Sequence, residues 1–170
     1  LICASVLRER GFDVRFFDSM LADSENECAL AMDREKPDVL VLFEDNFNYL
    51  TKMCLERMRE AAVRMIQMAR SRGIDAVVAG SDPSDDPGFF LRAGAVAVAF
   101  GEGEFAVADW LSMPPAREET LPGIAILAPD GSTLKGPARV PVRDVDSIPS
   151  PAWDLIDIQA YRRVWMRKSH

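Results

Sequence analysis

Three short apolar runs, at residues 39–43, 76–80 and 96–100, set the rhythm of the chain. Each gives way to small or acidic residues, and the segments between them carry apolar positions at helical spacing. The pattern predicts strands alternating with helices. The longest helix is predicted over 50–72, where Leu55, Met58, Ala62, Met65, Ile66 and Ala69 mark a buried stripe and Gly73 ends the run. Residues 1–10 read as a helix with Ile2, Val6 and Leu7 on one face and Gly11 as its left-handed stop. Residues 13–18 then read as a strand, and 23–35 as a helix broken by Lys36, Pro37 and Asp38. A short helix is predicted over 88–93, stopped by Gly94, and another from 104 to near Met113.

Repeated strand–helix units imply an α/β fold: a flavodoxin-like (Rossmann-like) doubly wound parallel sheet. Ligands of such sheets bind outside the carboxyl ends of the strands. Residues 45–49, 80–84 and 101–104 are therefore expected side by side around one crevice. The chain opens on a helix where this fold normally opens on a central strand. Either the first strand lies upstream of residue 1 or the sheet is one strand short. The unpaired edges that a lost central strand would leave favour the first reading.

The register changes at Pro114 and Pro115. Runs at 123–128 and 133–135 flank Pro129, Asp130, Gly131 and Ser132, which predicts a β-hairpin. Pro137, Pro141, Pro149 and Pro151 then exclude continuous helix or central strand. The expected organisation is an α/β domain over 1–116, then a hairpin and proline-rich connector over 117–170 with a helix near 158–166.

The chain has 170 residues, 48% of them hydrophobic, enough for a sizeable core without metal or disulfide staples. Its formal net charge of −7 argues against a general nucleic-acid binder. No apolar run approaches the ~18 residues of a membrane span. Cys3, Cys28 and Cys54 are far apart, odd in number and form no CxxC pair, so they read as small buried hydrophobes of a cytoplasmic protein. The single histidine is His170, which leaves no internal histidine for catalysis or metal ligation.

Several motifs occur in a telling order: residues 6–14, then Lys36-Pro37-Asp38-Val39, then Gly80-Ser81-Asp82-Pro83-Ser84 with Pro87 beyond, then Gly101-Glu102-Gly103-Glu104. Pro122-Gly123-Ile124-Ala125, Asp130-Gly131, the stretch from Asp146 to Leu155, and Tyr161 follow. Over nearly the whole chain this order resembles the N-terminal cobalamin-binding domain of B12-dependent radical S-adenosylmethionine enzymes. The resemblance implies a module that binds cobalamin without a lower protein histidine. Its partner would be a radical domain of the same parent chain, with S-adenosylmethionine and a [4Fe–4S] cluster on a CxxxCxxC loop. No such loop occurs here, so the chain by itself is not expected to be a catalyst. In the parent, the resemblance implies methyl transfer to an unactivated carbon or another radical rearrangement. Asp82 stands where the related loop often has histidine.

Carried onto these residues, the resemblance makes Gly80 and Ser81 a place where a planar ring or its tail approaches the backbone, with Asp82 and Ser84 beside it. Gly101, Glu102 and Gly103 would meet the cofactor's tail or amides, and Asp45, Asn46, Asn48 and Tyr49 its carboxamide-rich rim. Each has a plain structural alternative. Glycine suits a strand-to-loop turn, Glu104 suits the start of a helix, and 45–49 could be a solvated loop. Met53, Met58, Met65 and Met68 read as core, the arginines of the same helix as its solvated face, and Trp153 as packed onto the domain. Two competing functions remain: a cofactor-free regulatory or interaction domain, and a receiver-like signalling domain with Asp45 as phosphoacceptor and Ser81 as its partner. The latter lacks the lysine expected after the fifth strand.

Overall fold

The computed structural model describes residues 1–44, 55–114 and 120–168; at 55, 167 and 168 only the backbone is described. The elements run α1 (Ile2–Glu9), α2 (Asn26–Glu35), β1 (Val39–Glu44), α3 (Leu55–Arg70), β2 (Asp75–Gly80), α4 (Ser81–Asp85), α5 (Pro87–Ala93), β3 (Ala97–Ala99), α6 (Gly103–Leu111), β4 (Ile124–Leu127), β5 (Thr133–Lys135) and α7 (Ile158–Lys168). Short 3₁₀ turns at Val145–Ser147 and Trp153–Leu155 lie between β5 and α7. The sheet has the order β1-β2-β3-β4-β5. β1, β2 and β3 are parallel, with Val39 opposite Asp75 and Val77 opposite Ala97. β4 and β5 continue the same sheet antiparallel, so the hairpin is welded to β3 rather than standing apart. This is a flavodoxin-like α/β fold with an antiparallel hairpin on one side.

Local chemistry explains most boundaries. Asp86 accepts the Phe89 amide at 3.2 Å and Pro87 opens α5, which Gly94 closes at φ 117°. α2 ends where Lys36 takes the left-handed conformation just before Pro37. The hairpin turn is closed by Asp130, which accepts from the Ser132 amide at 2.9 Å and hydroxyl at 2.6 Å.

Helices cover both faces of the sheet. On one, Cys28, Met32, Ala62, Ile66, Ala69, Phe90 and Leu91 pack on Leu42, Val78 and Val98; on the other, Cys3, Val6, Leu7, Ala106, Val107 and Trp110 pack on Val77, Ala79 and Ile124. Burying each Val, Leu or Phe side chain contributes ~1.5–3 kcal/mol, so these two layers drive folding. Of the stripe expected on α3, Ala62, Ile66 and Ala69 are buried and Met58 and Met65 half-buried, while the Leu55 side chain lies outside the described residues.

Two expectations need correction. Residues 13–18 form no strand, because among the described residues no strand of the sheet pairs with them to complete a ladder. Trp153 is 61% exposed instead of packed onto the domain, since its 3₁₀ turn lies on an outer strap. α4 is also unforeseen: the chain turns into helix immediately after Gly80.

Candidate functional site

The carboxyl ends of β1, β2 and β3 form one rim. Glu44 lies directly opposite Gly80, and Ala79 opposite Ala99, so the three strand ends are neighbours. Ser84 locks two of them together. Its hydroxyl donates to the Gly80 carbonyl at 2.6 Å and accepts from the Gly101 amide at 3.3 Å. Gly80, Ser81, Ser84, Gly101, Glu102 and Gly103 are thereby gathered at one end of the sheet, as expected from the sequence. Asp45, Asn46, Asn48 and Tyr49 lie outside the described residues.

The glycines on this rim serve different needs. Gly80 has φ 139°, and a Cβ there would be driven into the Glu44 backbone carbonyl. It lets β1 and β2 close at their ends. Gly103 begins α6, and a Cβ would sit 3.1 Å from the Ala79 Cβ and 3.7 Å from the Phe43 ring. Its role is to seat the helix against the sheet. Gly101 differs: it has φ 71°, is exposed, and has nothing within 4 Å of its Cβ position. With Ser81, also exposed, it is the part of the rim open to a ligand.

The acidic candidates are engaged within the chain. Asp82 is only 7% exposed and is held by Arg59, whose Nε donates to it at 2.6 Å and whose second nitrogen makes a further short ion pair. The Arg59 guanidinium also lies 5.1 Å from the centre of the Phe89 ring. Its pKa is raised chiefly by the hydrogen bond to Asp82, against the opposing effect of burial, with the charges of Asp82, Asp86 and Glu44 adding. Glu102 stands at the N-cap of α6, but its side chain makes no capping bond there. Its carboxylate accepts the Val142 amide at 2.9 Å and so fastens the proline-rich strap beside the rim.

The strap is held at further points. Arg139 and Arg10 both reach Asp109 on α6, at 2.5 and 2.6 Å; Ser5 donates to the Ser150 carbonyl at 2.6 Å; and Arg8 pairs with Asp154 at 2.9 Å. Tyr161 on α7 donates to Asp18 at 2.6 Å. Its hydroxyl is pushed up to about 12, mainly by burial and then by that carboxylate. Cys3, buried under α6, is also pushed up to about 12, first by burial and then by the Glu104 charge, so it remains a thiol.

Sequence reasoning missed Arg59, which reads as one of several arginines on a solvated helix face. The available signal was Asp82 itself, an acid next to a strand end that would need a cation if buried. It also missed Glu44, which is 3% exposed at the end of β1. Among the described residues no group of three or more His, Cys, Asp or Glu could hold a metal ion, and no helix is long and apolar enough to cross a membrane. What the rim leaves exposed is Ser81 and the open glycine backbone at Gly101.

No family model matches the chain, and no curated protein matches it. Among solved structures, the N-terminal domain of the hypothetical protein TM0182 of Thermotoga maritima is similar to it at 18% identity, covering 66% of this chain and 81% of that one with a TM-score of 0.43.

Proposed function

We propose that the chain is a cobalamin-binding module that presents its cofactor to a radical S-adenosylmethionine domain of the same parent chain. The observation that carries this reading is the single rim made by Ser81, Ser84 and Gly101, latched by the Ser84 hydroxyl and open at Gly101. A broad flat macrocycle needs close approach to main chain, and glycine and serine at adjacent strand ends permit it. The macrocycle supplies its own nitrogen ligands to cobalt, so the absence of a metal-holding cluster among the described residues is compatible with it.

Cobalamin would supply organometallic or radical chemistry that amino-acid side chains lack. The share of this chain is to bind, orient and exclude water. The exposed Ser81 side chain and the open backbone at Gly101, whose own N–H is taken by Ser84, would meet the carboxamides at the ring edge. Asp82 and Glu102 act one step back, Asp82 by fixing α4 to α3 through Arg59 and Glu102 by anchoring the strap. The iron–sulfur and S-adenosylmethionine chemistry belongs to the partner domain.

A second reading, a cofactor-free regulatory or interaction domain, is favoured by the internal engagement of Asp82, Ser84 and Glu102. Hydroxocobalamin decides between them. Mixed with the purified chain and passed through a desalting column, it should remain bound at about one equivalent, with the spectrum of a displaced nucleotide tail. Gly101→Val should weaken binding about tenfold or more, a loss of ~1.4 kcal/mol, while Asp130→Ala at the remote hairpin turn should not. A colourless protein after saturating exposure overturns the first reading.

A further inference from the structure

α7 is both apolar and basic on its surface. Ile158 and Met166 are exposed, and Trp165 is 77% exposed. Arg162, Arg163, Arg167 and Lys168 lie on the same helix and no acidic residue does, in a chain whose formal net charge is −7. Arg163 turns back to Asp157, just before the helix, at 3.2 Å. Tyr161, Arg162, Trp165 and Met166 line an open hollow. Tryptophan, methionine and arginine are residues that protein–protein interfaces favour.

A surface of the opposite charge lies beside it. Residues 18–30 contain Asp18, Asp23, Glu25 and Glu27 and no basic residue. Met20 and Leu30 stand out of this segment, 77% and 65% exposed. Cys28 and Met32 are the side chains by which α2 joins the core, so Leu30 is on its outward side. The 2.6 Å bond from Tyr161 to Asp18 sets the basic helix and the acidic segment next to each other on one molecule. Met20 and Leu30 nevertheless stay exposed, so α7 does not cover the acidic segment of its own chain.

We propose that α7 docks on residues 18–30 of a second copy of this chain, and that the second copy returns its own α7 to residues 18–30 of the first. The basic helix then meets the acidic segment in both contacts, and Ile158, Trp165 and Met166 meet Met20 and Leu30. Adjacency selects this occupant. Two unlike patches on one side of a molecule are both satisfied by a single two-fold axis passing between them, and the assembly closes at two. α7 against α7 would set like charges across the interface, which is costly. An acidic partner of another kind would cover the helix and leave Met20 and Leu30 in water. Apolar burial supplies the affinity, and the charges fix which patch meets which. The docking needs no ligand at the rim and is independent of the cobalamin reading.

Sedimentation equilibrium of the ligand-free chain tests it. At low salt and about 100 μM, a concentration that populates even a modest complex, the chain should be a dimer. Raising salt to about 0.5 M should weaken the dimer about tenfold or more by screening. Arg162 and Asp23 are both exposed, so Arg162→Glu and Asp23→Lys leave the core intact, which circular dichroism checks. Each variant alone places like charges in both contacts and should weaken its dimer about tenfold or more. Mixed in equal amounts, the two variants should pair as tightly as the native chain. The mixed dimer has one native contact and one with both charges reversed, and each is complementary. A native chain that stays monomeric, a dimer that neither variant weakens, no recovery on mixing, or a mass that climbs past the dimer with concentration would each overturn the proposal.

Discussion

Gly80 and Gly101 end neighbouring strands and look alike in sequence, but their surroundings separate them. Both occupy positive φ, and only Gly80 has the Glu44 backbone pressed against the place of a side chain. Gly80→Ala combines strain with a backbone clash and should cost about 3 kcal/mol or more. Gly101→Ala meets open space and should cost only ~1–2 kcal/mol for its left-handed backbone. Urea denaturation of the two variants measures the difference. Equal losses would mean that β1 and β2 do not close at Glu44 and Gly80. The need for a flexible residue at a strand end was legible from the sequence. Which glycine faces a ligand and which faces another strand was not, because that depends on a neighbour 36 positions away.

At the scale of elements, α1, α6 and the strap are tied through one carboxylate. Burial alone would raise the pKa of Asp109, but hydrogen bonds from Arg139 and Arg10, helped by their charges, outweigh it and hold the group below its ordinary value of 3.8. A carboxylate depressed on folding contributes stability that is fully present above its unfolded pKa and lost as pH falls through its folded one. The native chain should thus exceed Asp109→Asn by about 1–2 kcal/mol near neutral pH, with the gap closing below about pH 4. Chemical denaturation at several pH values gives that gap directly. A constant gap would show that the asparagine acts through packing and not through charge. The helices themselves were readable from period and caps, as the Asp86-Pro87 start and Gly94 stop of α5 show. The strand expected at 13–18 was not realised, since alternation specifies a face and not a partner. α4 was missed because a helix starting directly on a strand's last residue leaves no loop signal.

Across the whole molecule, the strap from Pro137 to Ala152 links the far hairpin to the start of α1 and passes the rim at Glu102. Glu102 is therefore a clamp on the strap before it is a candidate for ligand contact. Replacing it by alanine removes one charge-assisted hydrogen bond worth ~1 kcal/mol at a half-exposed place, which shifts the strap's local opening about fivefold. Limited trypsin digestion should cut after the exposed Arg143 about that much faster in Glu102→Ala, with the core intact, while Glu104→Ala leaves the rate unchanged. An unaltered rate in Glu102→Ala would return that carboxylate to the ligand.

By itself the sequence determined the α/β alternation, the direction of the strands toward one end, the hairpin turn and the clustering of small residues at strand ends. These follow from local period and turn chemistry, which each segment carries alone. Tertiary structure decided the rest. It took Asp82 out of the rim by giving it Arg59, bound Glu102 to the strap, and welded the hairpin to β3. Each of these is a pairing between distant residues, and the burial and geometry that create such pairings exist only once the chain has folded.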